Sequence, residues 1–511
     1  MGTEIELRFT LDPARARAIG RDPRLTGSPL RHRLSSVYFD TPDRALARER
    51  VGLRLRRVAG AWLQTLKSDA ATGAGYRRGE WESPVARRAI DFTLLARTPM
   101  ADWFARPDHR EALAPVFETR VTRDVWIVAH SGATVEVALD RGRIIAGERS
   151  EALLELELEL RDGPVDALFD FALALNRDHA LALEPRSKAA RGFALLEGRA
   201  PAPARARRPA LDPAASTEEA FVAIAWSCLA QLLANAHGVG IGDDPEYVHQ
   251  ARVALRRLRA ALASFRRTIP REAAVQVASG AKLIAGALGE ERDLDVFLLE
   301  TLQPLAAQGH GGRLAVLGPA LDVARARARR RSAEAVSAPA FTRYVLEASR
   351  WLEACAWRPD PAAGEPAAAL AARQVLPVRR HAARVLGRRH RALRVSPVAP
   401  SQRGTEDRHA LRIALKKLRY AADAFAPVFA RRGEGADYLD ALAGLQEALG
   451  DLNDIATGRL LVERLRSAGA DPAAIEPALA LVEGWLAGRE VGDLRAADRA
   501  WARFASAKRF W

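Results

Sequence analysis

The hydrophobic period of this chain changes once, and that change limits the folds open to it. Up to residue 196 apolar residues alternate with polar ones, in "TEIELRF", "VGLRLRR", "AWLQTLK", "GEWES", "RVTRDVWIV", "TVEVALD" and "LLELELEL". A period of two is that of strands with one apolar face. From about residue 217 the alternation stops, Ala, Leu and Arg dominate, and apolar residues recur at intervals of three and four. That is the period of helices. A largely antiparallel sheet domain followed by an all-helical domain is therefore expected.

Gly, Pro and Asp separate the strand segments, with helices expected at 12–20, 91–105 and 164–177. The proline-rich stretch "GRAPAPARARRPALDPAAS" at 198–216 has no apolar period and reads as a semi-stiff linker. The expected domains are 1–197 and 217–511, with "RPDPAAGEPAAA" at 358–369 dividing the second into halves. A chain of 511 residues, 49% of them hydrophobic, has ample material for more than one core.

The net charge of +15 is unevenly placed. Residues 1–200 hold 32 basic and 29 acidic side chains, and the remaining residues hold 46 and 34. The positive field belongs to the helical part, where a polyanionic partner is expected. The two cysteines, Cys228 and Cys355, lie in apolar helical patterns and read as inert buried thiols, without a disulfide framework or zinc site. "MGTEIELRF" resembles neither a signal peptide nor a myristoylation motif, and no uncharged apolar run reaches the ~18 residues of a membrane span. A soluble, cytoplasmic protein that makes no membrane contact is the expectation.

In the strands, charges of both signs share one face. Glu4, Glu6 and Arg8 lie opposite Ile5, Leu7 and Phe9; Arg54 and Arg56 alternate with Leu53 and Leu55. Thr65 and Lys67 share a face, Glu80 and Glu82 flank Trp81, and Glu136 shares a face with Asp140. Glu155, Glu157 and Glu159 alternate with leucines. A solvated face would explain one such strand. Repetition over segments far apart in sequence points instead to a closed barrel with a charged lumen, since exposed ion pairs contribute only ~0 to 1 kcal/mol each. Clustered carboxylates suit Mg²⁺ or Mn²⁺, and facing cations suit phosphate oxygens. Together they are equipment for phosphoryl hydrolysis.

These motifs, with "YFDTPDRALARERVGLRLRR", "LQTLK", "GEWE", "VEVALDRG", "ELELEL" and "EPRSKAARGF" in order, resemble the CYTH superfamily of triphosphate tunnel metalloenzymes. The resemblance implies an eight-stranded antiparallel β tunnel with flanking helices that hydrolyses a triphosphate with Mg²⁺ or Mn²⁺. It implies metal ligation by Glu4, Glu6, Glu157 and Glu159, with Glu155 a further ligand. Phosphate would be held by Arg8, Arg54, Arg56, Arg123, Arg186 and Lys188. Lys67 would touch the scissile region with Tyr38 beside it, and Glu80, Glu82, Glu136 and Asp140 would complete the acidic lining. Arg8 stands where the family has lysine, and a planar fork is not equivalent to a point charge. Without a base-reading or thiamine-stacking motif, inorganic triphosphate is the expected substrate; nucleoside or thiamine triphosphate, and binding without turnover, are the alternatives.

In the helical part "VHQARVALRRLRAALASF" at 248–265 returns as "RHALRIALKKLRYAADAF" at 408–425. His249, Arg252, Arg256 and Arg259 fall within about 80° of helical arc, and His409, Arg412, Lys416 and Arg419 take the same positions. Arg257 and Lys417 adjoin them. "LGEERDLD" and "LGDLNDIA" repeat at nearly the same offset, with Asp293 and Asp454 as structural acids that orient the basic helices. An internal duplication is the expected origin, giving two pseudo-symmetric helical bundles. Like charges at i,i+4 cost ~0.2–0.5 kcal/mol per pair, so a stripe kept in both halves has a use. Tyr420 is the only aromatic beside either stripe, which argues against nucleic acid. The pattern resembles the CHAD domain, and the resemblance implies inorganic polyphosphate as ligand and polyphosphate granules as a location. Arg325, Arg327, Arg329, Arg330, Arg379, Arg380 and Arg384, taken singly, read as solvated.

Overall fold

A computed structural model describes residues 2–69, 76–198, 202–242, 244–360, 364–393, 398–429, 435–467 and 472–511. Parts of the two proline-rich stretches, 199–201 and 361–363, lie outside the described residues. The chain forms two compact units, Met1–Pro203 with Ser337–Ala356, and Ala204–Val336 with Trp357–Trp511.

The first unit is built on β1 (Gly2–Thr10), β2 (Leu30–Asp40), β3 (Val51–Val58), β4 (Ala61–Asp69), β5 (Arg77–Val85), β6 (Ala114–His130), β7 (Ala133–Ala146) and β8 (Arg149–Asp162). They pair antiparallel in the order β5-β4-β3-β2-β6-β7-β8-β1, and β1 also pairs with β5, which closes the barrel. A short β9 (Ala182–Leu183) lies against β1. Two hairpins turn on residues with positive φ, Ala59–Gly60 and Ser131–Gly132, as tight connections between twisted strands require. The outward apolar residues of β1, β7 and β8, among them Leu7, Phe9, Val135, Val137, Leu156 and Leu158, are buried. So are Leu168, Phe169, Phe171 and Leu175 of the helix Val165–His179, which packs outside the barrel.

The helix expected at 91–105 is two short helices, Phe92–Leu95 and Ala101–Ala105, interrupted at Pro99. Two elements outside the expected set position charged groups. The helix Lys188–Glu197, capped by Ser187, lies close over Phe117: a Cβ on Gly192 would sit 2.2 Å from that ring, so only glycine permits the approach. Its first turn delivers Lys188 and Arg191 to the barrel. The helix Pro339–Glu353 belongs to this unit rather than to the later helices, with Asn176 Nδ2 donating to the Pro339 carbonyl at 3.1 Å and both Tyr76 and Arg77 bonded to Glu353. Cys355 lies just past that helix and is half-buried, unlike the expected core thiol.

The second unit is helical throughout its regular elements. Its core helix Thr217–Ala236 has the length and a mean hydropathy, 1.3, sufficient to cross a bilayer, but 61% of that window is buried within the protein. Cys228 on it is buried, which pushes its thiol up to about 11. The stretch expected as a linker is bonded to this helix: Ala204 exchanges two hydrogen bonds of 2.9 Å with the Asn235 amide. The duplicated segments form the helices Glu246–Ser264 and Thr405–Phe429. Phe265 and Phe425, equivalent in the repeat, meet with ring centroids 5.5 Å apart. Equivalent residues that touch each other mark a local twofold relation.

Candidate functional site

Strand register sets the lumen. Glu6 pairs across β1–β8 with Glu159, which pairs across β8–β7 with Glu136. One row further, Arg8 pairs with Glu157; the next row carries Glu155, Asp140 and Arg123. On the opposite wall Tyr38, Arg54, Thr65 and Glu82 are in register, with Lys67 beside Glu80. Tunnel residues named from the sequence thus converge here from all eight barrel strands and one helix.

Their charges sort into three groups. The first is a saturated knot: Lys188 Nζ lies 2.9 Å from Asp140 and 2.8 Å from Glu155, and also contacts Glu157. Arg123 grips Asp140 with two bonds of 2.7 Å, and Arg191 pairs with Glu155 and Glu151. Burial alone would raise Glu157, but Lys188 and Arg123 outweigh it and hold the carboxyl well below the usual range. Burial would likewise lower Lys188, and Asp140, Glu155 and Glu157 raise it instead.

The second group is acidic and under-neutralised. Lys67 donates to Glu4 at 2.7 Å and lies 3.1 Å from Glu80, and Arg161 reaches Glu159 at 2.7 Å and Glu136 at 2.5 Å. Even so, burial and then Glu4 push Glu159 up to about 8, and burial followed by Glu157 raises Glu6. The third group is basic. Burial, then Arg54 and Arg123, press Arg56 down to about 10. Tyr38, although buried, is lowered by Arg54 and Arg56. Arg8 Nε and Arg54 Nε are buried without a hydrogen-bond partner.

Which carboxylates suit a divalent cation follows from this sorting. Asp140, Glu155 and Glu157 place oxygens within 4.8 Å of one another. In this structure that triad is contacted by an ammonium and two guanidinium groups: Glu155 and Glu157, both expected as metal ligands, pair with Lys188, Glu155 also with Arg191 and Glu157 also with Arg123. Glu4, Glu6 and Glu159, with Glu136 beside them, carry the excess negative charge that a metal would relieve. Arg186 is held by Glu184 through bonds of 2.9 and 2.8 Å, a neighbour the sequence did not announce. Arg191 and Arg161 were also missed, though Arg191 follows Lys188 by one helical turn and Arg161 shares the β8 face of Glu159.

Lys188→Ala would leave three buried carboxylates without their shared cation. Loss of one partner from a buried pair costs on the order of 3 kcal/mol or more, and chemical denaturation at pH 8 should show it. The deficit should shrink toward pH 5, because stranded carboxylates take up protons that the unfolded chain does not, and folding then gains from acidity.

In the helical unit Arg252, Arg256, Arg412 and Lys416 lie near one another, and Arg252 Nε, Arg256 Nε and Arg412 Nε have no hydrogen-bond partner. Burial, then Arg412 and Arg256, press Lys416 down to about 7. Burial, then Arg292, lowers His249 to about 4. Asp293 and Asp454 lie near Arg252 and Arg412, and burial raises both acids. The other expected members of the stripe have different surroundings. Arg257, one residue and 100° around from Arg256, bonds Gln231 at 2.6 Å and the Arg207 carbonyl at 3.0 Å. Arg259, His409 and Lys417 are exposed, and Arg419 pairs with Asp423 at 2.8 Å.

The fold and these sites define a two-part protein: a closed tunnel lined by both charges, followed by a helical unit with a duplicated basic core. Residues 2–193 match the CYTH domain family and residues 223–463 the CHAD domain family, so the chain is a CYTH domain followed by a CHAD domain. It is 33% identical over 163 residues to the inorganic triphosphatase of Haemophilus influenzae, a match spanning 32% of this chain and 46% of that protein. Among solved structures it resembles the CHAD domain from the plant Ricinus communis, at 27% identity over 61% of this chain and 99% of that one, with a TM-score of 0.49. It also resembles HpAC1 from Hippeastrum, at 18% identity over 39% of this chain and 98% of that one, with a TM-score of 0.30.

Proposed function

We propose that the tunnel hydrolyses inorganic triphosphate with a divalent metal and that the helical unit binds inorganic polyphosphate. The observation that carries the first half is the separation of charge inside one lumen, with Glu6 and Glu159 raised by burial and neighbouring carboxylates on one side and Arg56 lowered by burial and neighbouring guanidinium groups on the other. A short phosphate chain bridging the two would meet cations along its length. Arg8, Arg54 and Arg56 hold the chain, and the Tyr38 hydroxyl donates to it. Lys67, drawn between Glu4 and Glu80, lies within the acidic group and orients the phosphoryl to be transferred. The Lys188 knot fixes β7, β8 and the closing helix, so these groups are preorganised. Glu4, Glu6 and Glu159 would hold Mg²⁺ or Mn²⁺, which when bound supplies Lewis-acid polarisation of phosphate oxygens.

The test is phosphate release from tripolyphosphate with Mg²⁺ or Mn²⁺, compared with chelator, with nucleoside and thiamine triphosphates run in parallel. Release should require metal and favour tripolyphosphate. Release no greater than that of a Glu4→Ala/Glu6→Ala control would leave a binder without turnover. For the helical unit, the unpartnered guanidinium nitrogens of Arg252, Arg256 and Arg412 support a polyanion without bases. Single-stranded RNA that displaced long-chain polyphosphate at equal phosphate concentration would reverse that reading. A cytoplasmic, granule-associated location is part of the same proposal.

A further inference from the structure

The basic helix Glu246–Ser264 leads at its C-terminal end to a second concentration of positive charge. A cavity of about 350 Å³ lies there, bounded by the end of this helix, by Arg373 and Leu376, and by the helix Val378–Leu393. His381 lines it and is only 9% exposed. Its ring stacks on Phe265, centroids 4.6 Å apart and planes inclined by 17°. One ring nitrogen bonds the backbone of Ser264, while Nε2 is buried with no hydrogen-bond partner. Four arginines, Arg267, Arg373, Arg384 and Arg388, also line the cavity. Among the described residues none of the four has a carboxylate within ion-pair distance. Burial, then Arg266 and Arg267, lower Arg388, as expected where cations gather without counter-charge.

An orphaned nitrogen on a wall shared with guanidinium groups is an unusual combination. Arginines call for an anion, and a ring whose other nitrogen donates to the Ser264 carbonyl presents a lone pair at Nε2. Burial and then Arg384 keep that ring neutral at pH 7, lowering it to about 4. An anion that also carries a proton would satisfy both the arginines and the unpartnered Nε2. The geometry points to this cavity as a site for a phosphoryl group bearing a P–OH, with its charged oxygens on Arg384 and Arg388 and its hydroxyl on His381 Nε2. Orthophosphate and the end group of a phosphate chain share that chemistry; internal phosphates of a chain and sulfate do not. The site is separate from the Arg252–Arg412 region and does not rest on the polyphosphate reading.

Calorimetry on the full chain with chelator present tests this, using orthophosphate, tripolyphosphate, cyclic trimetaphosphate and sulfate. Orthophosphate should show a site that Arg384→Ala/Arg388→Ala weakens at least about tenfold, the scale of one lost charge-assisted hydrogen bond. Arg252→Ala/Arg412→Ala should leave that site intact. Tripolyphosphate occupying it would extend the site to chain ends, whereas orthophosphate alone would limit it to free phosphate. Arg384 is exposed and Arg388 half-buried, so matching thermal melts should accompany the loss of affinity. Sulfate or trimetaphosphate binding as tightly as orthophosphate, or no site lost in the arginine variant, overturns the proposal.

Discussion

Glu6→Gln/Glu159→Gln should lower kcat for tripolyphosphate hydrolysis by about a thousandfold or more, the scale of removing a preorganised electrostatic contribution worth about 4 kcal/mol, while making the metal-free protein more stable. Both effects have one cause. Glu159 is pushed up to about 8 and Glu6 is raised, by burial first and neighbouring carboxylates second. Between the ordinary glutamate value of 4.5 and about 8, the folded protein keeps a proton on Glu159 that the unfolded chain has released. Stability without metal must then fall as pH rises through that window. Thermal melts in chelator should show this slope in the wild type and a weaker one in the variant. Mg²⁺ must displace the same proton, so its affinity should rise with pH up to about 8 and its binding should release protons into a weak buffer. A melt independent of pH between 5 and 8 in chelator, or metal binding without proton release, would remove these carboxylates from the metal site.

The parts of this architecture legible in the sequence were those in which one residue's neighbours are fixed by period. Alternation in β1, β3, β7 and β8 put the right charges on one face, and closure of the barrel then brought those faces together. β2 escaped the period-two reading because its inward positions mix Leu34 and Tyr38 with Ser36, while Arg31 and Arg33 point outward. The division of labour among the acids was not legible. Glu155, Glu157 and Glu159 look equivalent along β8, yet Lys188 and Arg191 arrive from a helix about 30 residues later and neutralise the first two. Glu159 lies beyond their reach, and burial and neighbouring carboxylates leave it raised. The same limit applies to Pro339–Glu353, whose amphipathic pattern matches its neighbours but whose Glu353 answers Tyr76 and Arg77 in the first unit. In the duplicated helices the wheel placed Arg252, Arg256, Arg412 and Lys416 correctly together. Local clustering in "RRLR" and "KKLR" drew in Arg257 and Lys417, which a period of 3.6 turns away from that face.

Arg256→Ala/Arg412→Ala/Lys416→Ala should weaken long-chain polyphosphate binding by about a thousandfold, three charge-assisted contacts at about 1.5 kcal/mol each. The dependence of log affinity on log salt should flatten by about 2, since each lost contact removes roughly 0.7 of a released counterion. Lys416 adds a dependence on pH that separates contact from general attraction. In the free protein it is pressed down to about 7 by burial and by Arg412 and Arg256, against an ordinary 10.5. A polyanion beside it replaces that repulsion with attraction and raises it, so the complex holds a proton that the free protein has begun to lose. Affinity should therefore fall as pH rises from about 7 toward 10.5, with proton uptake on binding. Lys416→Arg, charged throughout, should bind with no such decline. If the wild type and Lys416→Arg fall off identically between pH 7 and 9, Lys416 does not touch the chain and the polyphosphate contacts lie elsewhere on the basic surface.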